Sequence, residues 1–191
     1  MRKEFTCDGK DKSELRRICS AKRAEIADKP ALAERAAERV LPLLRGNVMV
    51  YVSIGSEMPT DSLITRLLSE PTVTVYVPFT DKDMRIVPRR LRSLGSADRL
   101  GNLDETHLFP ADGVNIDQCV TPLLAFGADG SRLGYGKGCY DRFFSTSDAL
   151  RIGFAFDAQA ACFCAEAHDV PLDCCVTETK VIYFPYARDI G

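Results

Sequence analysis

The chain has 191 residues, 46% hydrophobic and 27% charged, a balance typical of a globular domain with an apolar core. Its 25 Lys and Arg face 27 Asp and Glu, and the resulting net charge of -2 argues against a general nucleic-acid binder, which needs a basic excess. Because the opening residues lack the apolar segment of a signal peptide and no run approaches the roughly 18 apolar residues of a membrane span, we expect a cytoplasmic protein without membrane partners. The length fits a single domain over residues 1–191, and we expect a monomer.

The first half of the chain alternates between helical periodicity and strand-like runs. Two segments have apolar residues at helical spacing, and Pro42 predicts the end of the second one. Runs rich in β-branched residues predict strands, the first of them buried on both faces. The predicted elements are, in order, helices over 13–26 and 33–41, a strand over 48–54, a short helix capped by Thr60 or Asp61, and strands over 73–78 and 84–87.

The second half begins with residues 88–113, which are polar and lack a clear period. We interpret this segment as solvated loop and edge structure, and keep as an alternative that its arginines help to hold an anionic ligand: Arg89, Arg90, Arg92 and Arg99. The remaining predicted elements are strands over 119–126, 151–156 and 181–184, and a helix over 139–147. Alternating helices and apolar strands favour an α/β fold, a three-layer sandwich with a largely parallel central sheet flanked by helices.

Eight cysteines are more than a chain of this size usually carries, and they are scattered: Cys7, Cys19, Cys119, Cys139, Cys162, Cys164, Cys174 and Cys175. The pairs C-x-C and C-C do not have the spacing of structural zinc sites, and the chain has only two histidines. We expect the cysteines to act as small buried apolar side chains, with a metal site as the alternative.

The glycine-rich stretch 127–144, GADGSRLGYGKGCYDRFF, carries the strongest functional signal. Gly134, Gly136 and Gly138 alternate with Tyr135 and Lys137 between a predicted strand and a predicted helix. Glycines let backbone N–H groups approach a ligand closely, and cations beside them suit a phosphate or another oxyanion. The stretch matches neither the P-loop nor the dinucleotide-binding fingerprint. A turn that serves only chain geometry remains the alternative on these residues alone.

The wider context PLLAF-x-x-x-G-x-RLGYGKG-x-YDRF resembles the signature of the 5-formyltetrahydrofolate cyclo-ligase family, also called 5,10-methenyltetrahydrofolate synthetases. The resemblance extends to KSELR near the start, VYVSIGSEMPT, QAACFCAEAHD and PLDCCVTET. It implies that ATP and Mg²⁺ drive conversion of 5-formyltetrahydrofolate to 5,10-methenyltetrahydrofolate, with release of ADP and phosphate. Small molecules, a reduced folate and ATP, are then the expected partners.

The resemblance also implies roles for individual residues. The nucleotide-binding set is Lys12, Arg16, Arg132, Leu133, Gly134, Tyr135, Gly136, Lys137, Gly138, Cys139 and Tyr140. The folate-binding set is Val52, Glu57, Tyr135, Gly136, Lys137, Gly138 and Cys139. The catalytic candidates are Lys137, Arg132 and Tyr140, and the candidate Mg²⁺ ligands are Asp141 and Asp169.

Two other functions remain open on the residues alone. One is a sugar-phosphate isomerase or acyl-CoA-processing domain with a similar α/β layout, which would not need ATP. The other is a non-catalytic folate- or nucleotide-binding module, which would bind its ligand without turnover.

Overall fold

The computed structural model describes residues 11–93, 103, 107–166 and 168–185, and among them an eight-stranded sheet forms the centre of the protein. Its strands are β1 (Gly46–Val50), β2 (Val73–Thr80), β3 (Ile86–Leu91), β4 (Leu108–Pro110), β5 (Gln118–Thr121), β8 (Leu150–Phe154), β9 (Cys174–Val176) and β10 (Val181–Tyr183). A separate hairpin consists of β6 (Ala125–Phe126) and β7 (Arg132–Leu133). The helices are α1 (Lys12–Ala24), α2 (Lys29–Val40), α3 (Asp61–Leu68) and α4 (Cys139–Phe144).

The strand order of the sheet is β10-β9-β8-β5-β1-β2-β3-β4. The five central strands, from β9 to β2, pair in parallel, whereas β10 at one edge and β3 and β4 at the other pair antiparallel. Parallel strands are usually covered on both faces, which agrees with the complete burial of Val48, Met49 and Val50 in β1. The prediction of a largely parallel sheet is confirmed.

One face of the sheet is covered by α2 and α3. Successive strand residues point to opposite faces, so Val48 and Val50 of β1 face these helices while Met49 faces away from them. The apolar side of α2 is small, with Ala33 and Ala36 fully or almost fully buried, which lets this helix approach the sheet closely. This is the main hydrophobic core.

The opposite face is covered by the short helix α4 and by the β6–β7 hairpin. Phe144 of α4 packs in a cluster with Met49 of β1 and Cys119 of β5. Helix α1 lies against the hairpin, where its Cys19 packs with Leu133. Helices therefore lie on both sides of the sheet, which confirms the predicted three-layer arrangement.

The single strand predicted over 119–126 is wrong, because the chain leaves the sheet after β5 and re-forms as β6. Pro122 lies at the break and has no N–H to continue the ladder. The carbonyl of Leu123 instead accepts hydrogen bonds from Arg23 Nη1 at 2.9 Å and Gln159 Nε2 at 2.7 Å. Side chains that are distant in sequence thus provide the hydrogen bonds to the backbone where the sheet ladder ends.

Other boundaries differ by a few residues. Strand β1 ends at Val50, so residues 51–54 form the exit from the sheet rather than strand, and α4 ends at Phe144 rather than three residues later. Strands β4 and β9 were not predicted. Within residues 88–113, part of β3 and β4 form the expected edge structure, while Arg99 lies outside the described residues.

The expectation of buried cysteines is confirmed in part. Four are buried, Cys19, Cys119, Cys174 and Cys175. It is wrong for Cys162 and Cys164, which are exposed, Cys139 is only partly buried, and Cys7 lies outside the described residues. The one group of three potential metal ligands found among the described residues contains no cysteine. No helix in this part of the chain is long and apolar enough to cross a membrane.

Candidate active site

A cleft lies between β1 and β5 at the carboxyl-end edge of the sheet. These strands are parallel neighbours, but the chain leaves β1 toward α3 on one face and leaves β5 toward the hairpin and α4 on the other. Such a topological switch point opens a crevice beyond the strand ends. A cavity of about 520 Å³ lies there, between Val52 after β1, Thr80 at the end of β2 and Pro122 after β5.

Every site residue predicted from sequence lines this cavity. These residues are Lys12, Arg16, Val52, Glu57, Arg132, Leu133, Gly134, Tyr135, Gly136, Lys137, Gly138, Cys139, Tyr140, Asp141 and Asp169. The sequence did not single out the other lining residues, which are Tyr51, Ile54, Pro78, Thr80, Ile86, Pro122, Glu166 and His168. One wall is therefore cationic and glycine-rich, and the wall from β1, β2 and β3 is largely apolar.

The glycines of the loop after β7 make room for arginine side chains. Gly136 has φ +90°, and a Cβ on it would lie 3.0 Å from Cζ of Arg16. Gly138 has φ +66°, and a Cβ there would lie 3.0 Å from Nη1 of Arg142. Arg16 donates from Nε to the carbonyl of Gly134 at 3.0 Å. The loop conformation and the position of these cations thus depend on each other.

Arg132 is the most buried cation of the cavity wall, with 4% of its side chain exposed. Its Nη2 donates to Asp141 Oδ1 at 3.0 Å, and its guanidinium lies 5.4 Å from the centre of the Tyr140 ring. Nε of the same guanidinium is buried and has no hydrogen-bond partner. A buried unpaired donor is costly, and an anionic oxygen in the cavity would satisfy it.

Lys12, in the first turn of α1, reaches across the cavity to the loop after β8. Its Nζ lies 2.6 Å from Asp169 Oδ2 and 3.4 Å from Glu166 Oε1. Burial raises the pKa of the Asp169 carboxyl, but hydrogen bonds from the Glu166 N–H and from Lys12 outweigh it and hold the pKa below its ordinary value. His168 is 3.3 Å from Glu166 and completes a group of three potential metal ligands.

Lys137 differs from the other cations of the site. It is exposed at the cavity, and across the described residues its ammonium group has no hydrogen bond or ion pair. A ligand can therefore take up its charge without breaking a contact with any residue that the structure describes.

Glu57 lies on the opposite side of the cavity, in the turn after β1, and is 4% exposed. Its Oε2 accepts the N–H of Ile54 at 2.8 Å. Burial raises the pKa of the Glu57 carboxyl, and the Ile54 hydrogen bond, Tyr135 and the charge of Arg23 offset only part of that rise. A carboxylate in this position suits a ligand with N–H donors.

Arg23 is a site-associated residue that the sequence analysis missed. It follows Lys12 and Arg16 on one face of α1, at spacings of four and seven residues, and that periodicity was the available signal. Its Nη2 donates to the hydroxyl of Tyr135, and its guanidinium lies 5.5 Å from the centre of that ring.

The fold and the cavity define an open-sheet α/β protein whose switch-point cleft combines cations, a glycine-rich loop and carboxylates. The chain belongs to the 5-formyltetrahydrofolate cyclo-ligase family, whose model matches residues 8–178. The family resemblance seen in the sequence is thereby confirmed, and the members of this family are enzymes.

Individual relatives agree with this assignment. A 5-formyltetrahydrofolate cyclo-ligase of Mycoplasma genitalium is 28% identical over 174 residues, which cover 85% of this chain and 95% of that protein. The 5,10-methenyltetrahydrofolate synthetase structure from Mycoplasma pneumoniae aligns with TM-score 0.70 and 25% identity, covering 88% of this chain and 99% of that one. The structure of the synthetase from Aquifex aeolicus aligns with TM-score 0.72 and 27% identity, covering 94% and 96%.

Proposed function

We propose that the protein converts 5-formyltetrahydrofolate and ATP to 5,10-methenyltetrahydrofolate, ADP and phosphate, with Mg²⁺ as cofactor. The observation that carries this proposal is the single cavity that joins the glycine-rich loop and its cations to the carboxylate of Glu57 and to an apolar wall. The family membership of the chain supports the same reaction.

The cationic wall fits a triphosphate. The unpaired Nε of Arg132 and the free ammonium of Lys137 are donors that a ligand can satisfy. Lys12 and Arg16 project into the same cavity from successive turns of α1. We assign to these four side chains, with the backbone of residues 133–140, the binding of ATP.

The carboxylates fit Mg²⁺, which prefers oxygen ligands. Asp141 and Asp169 both line the cavity beside the proposed phosphate site, and in this structure they contact Arg132 and Lys12. These two carboxylates would hold the ion, directly or through water. Bound there, Mg²⁺ would neutralise charge on the phosphate oxygens.

The chemical difficulty of the reaction is that a formamide oxygen is a very poor leaving group. Transfer of the γ-phosphoryl group of ATP to the formyl oxygen breaks the bond to the β-phosphate and releases ADP. N10 of the folate then attacks the formyl carbon, the C–O bond breaks with departure of phosphate, and N10 loses its proton. The protein must mainly position the two substrates and neutralise charge.

The residues have distinct roles in this scheme. Lys137 and Arg132 contact the transferring phosphoryl group, and Tyr140 lies beside Arg132 against the reacting centre. Val52, Glu57 and Tyr135, together with the loop from Gly136 to Cys139, hold the pterin, for which an aromatic face and a carboxylate are suited. No covalent protein nucleophile is needed, so Cys139 serves as a wall residue.

The direct test is incubation of the purified protein with 5-formyltetrahydrofolate and Mg-ATP, with the conjugated methenyl product followed by absorbance. Omission of ATP should abolish product formation, and one ADP should appear for each methenyl product. Absence of product in the complete mixture would contradict the proposal.

An equilibrium binding assay, run beside the turnover assay, separates the two alternative functions. A non-catalytic binding module would bind the folate or ATP in an equilibrium assay and release no ADP. A sugar-phosphate isomerase or acyl-CoA-processing enzyme would not need ATP, so the assay would show no coupling between the binding of Mg-ATP and the binding of the folate.

A further inference from the structure

Arg23 is an unusual residue for its location, because its guanidinium is buried and belongs to none of the proposed substrate contacts. It is 2% exposed and lies near the C-terminal end of α1. Its three donor groups bond to the Ser56 hydroxyl at 3.1 Å, the Leu123 carbonyl at 2.9 Å and the Tyr135 hydroxyl. A buried charge is retained at considerable cost unless its surroundings compensate it.

None of these three partners carries a charge. Within residues 11–93, 107–166 and 168–185, no carboxylate lies within ion-pairing distance of Arg23. The nearby opposite charge is Glu57, and Arg23 reaches the turn that carries it through the hydroxyl of Ser56. The guanidinium therefore bonds both to the residue before Glu57 and to Tyr135 of the glycine-rich loop.

The chemistry of a phenol determines which group donates and which accepts in the contact between Arg23 and Tyr135. A tyrosine hydroxyl has one hydrogen to donate and an oxygen that accepts. Because Arg23 can only donate, it uses the oxygen of Tyr135 as its acceptor, and the phenolic hydrogen stays available to another acceptor. Through Tyr135 and Ser56, Arg23 thus connects α1 to the glycine-rich loop and to the turn after β1.

We propose that Arg23 is a positioning residue for folate recognition, which acts by holding Tyr135 and the turn that carries Glu57 in place at the cavity. This inference rests on the proposed function. The N–H of Ile54 fixes the carboxylate of Glu57 from the protein side and leaves its remaining lone pairs for the N–H donors of a pterin. A carboxylate fixed before binding loses less freedom when the ligand arrives.

The proposal separates the two substrates, because Arg23 bonds to Tyr135, which is assigned to the folate, and makes no contact with Lys12 or Asp169, which are assigned to the nucleotide and its Mg²⁺. Loss of the Tyr135 hydroxyl should weaken the binding of 5-formyltetrahydrofolate while Mg-ATP binds as before. Hydrogen bonds that involve a charged group are strong enough for an effect of about tenfold on the dissociation constant.

The experiment measures equilibrium binding of 5-formyltetrahydrofolate without nucleotide, and of Mg-ATP without folate, for Tyr135→Phe, Arg23→Met and the double variant. Tyr135→Phe keeps the ring as a cavity wall and removes only the oxygen. Arg17→Met is the matched control, since Arg17 is an exposed arginine of the same helix with no contact to the cavity. Each single variant should bind folate about tenfold more weakly, and the double variant should be no weaker than the weaker single one.

Several outcomes would overturn the inference. If Tyr135→Phe binds the folate as tightly as the unaltered protein, Arg23 does not act through the Tyr135 hydroxyl. If folate and Mg-ATP binding fall together, or the losses in the double variant multiply, the two residues act on general structure or independently. If the unaltered protein binds no 5-formyltetrahydrofolate, the proposed function fails and this inference fails with it.

Discussion

At the scale of single residues, the cations of the cavity differ in what they contact before a ligand arrives. Lys12 and Arg132 are held by Asp169 and Asp141, so a ligand must share or replace those carboxylates. Lys137 has no such contact among the described residues and is the cation whose charge a phosphoryl group can take up directly. Its contribution should therefore be specific to the reaction rather than to folding.

Replacement of Lys137 by alanine should lower kcat by about a hundredfold to a thousandfold, on the scale of losing one preorganised donor to a developing charge. The melting temperature should stay unchanged, because the side chain is exposed. Lys82→Ala, at an exposed lysine outside the cavity, is the control and should leave turnover intact. Near-normal turnover of the Lys137 variant would remove this residue from the catalytic group.

Glu57→Gln should make the protein more stable at high pH relative to the unaltered chain. Burial raises the pKa of Glu57 above its ordinary value of 4.5, so the folded state holds the proton more tightly than the unfolded state. The stabilisation is complete below the ordinary value and is lost as the pH rises through the raised pKa, at about 1.4 kcal/mol for each unit of pKa difference.

Thermal unfolding of both proteins between about pH 4 and pH 8 measures this effect, with the advantage of the glutamine variant growing toward high pH. A difference that does not change with pH would show that Glu57 titrates normally. The same variant should bind 5-formyltetrahydrofolate more weakly, since an amide cannot replace the carboxylate charge.

The residues that the sequence could predict are those whose signal is local. The loop from Arg132 to Asp141 is contiguous, and Lys12 and Arg16 are one helical turn apart, so spacing alone placed them together. The contact of Arg23 with Tyr135 spans 112 positions of the chain and depends on how α1 packs on the hairpin. No local sequence pattern could therefore predict this contact.

At the scale of elements, the glycine-rich loop and helix α1 form one unit. Arg16 lies over Gly136 and donates to the carbonyl of Gly134, so the helix fixes the loop from outside. Because Gly136 has no Cβ, it can adopt a positive φ, and it also leaves room for the guanidinium of Arg16. Mutations can separate the need for a positive φ from the need for space.

Gly136→Ala should destabilise the fold by roughly 1–2 kcal/mol through the left-handed backbone, and should also weaken Mg-ATP binding because Arg16 must move. Gly113→Ala is the matched control, since Gly113 has φ +73° and open space around the position of a Cβ. It should show the loss of stability without the loss of nucleotide affinity. Equal nucleotide affinity in both variants would contradict the proposed coupling of loop and helix.

Element types were predicted better than element ends. The helices and the long strands have clear periods, whereas β4 and β9 have three residues each and too little sequence to show one. The break at Pro122 depends on Arg23 and Gln159, which reach the freed carbonyl from other parts of the chain. The end of β5 therefore depends on tertiary hydrogen bonds, which the local sequence does not show.

At the scale of the whole molecule, β8 and β9 are joined by a buried ion pair as well as by their ladder. Asp173 is fully buried and accepts from Arg151 at both oxygens, at 2.7 Å and 2.8 Å. It also accepts the Arg151 N–H at 2.8 Å. Removing one partner would leave the other charge without compensation in a largely buried position.

Asp173→Ala should therefore lower the free energy of unfolding by about 3–5 kcal/mol, as measured by denaturant titration. Glu34→Ala removes the exposed ion pair with Arg66 and should cost only about 0.2–1 kcal/mol. Similar values for the two variants would show that burial does not strengthen the Arg151–Asp173 pair.

The switch point between β1 and β5 has a consequence for how this protein family can change. The hollow exists because the polypeptide departs from two adjacent strands in opposite directions, and no side chain has to create it. Topology therefore sets where the crevice lies, whereas the side chains on its walls set which ligand it accepts. New chemistry can evolve at this place by exchange of wall residues while the connections between the strands stay the same.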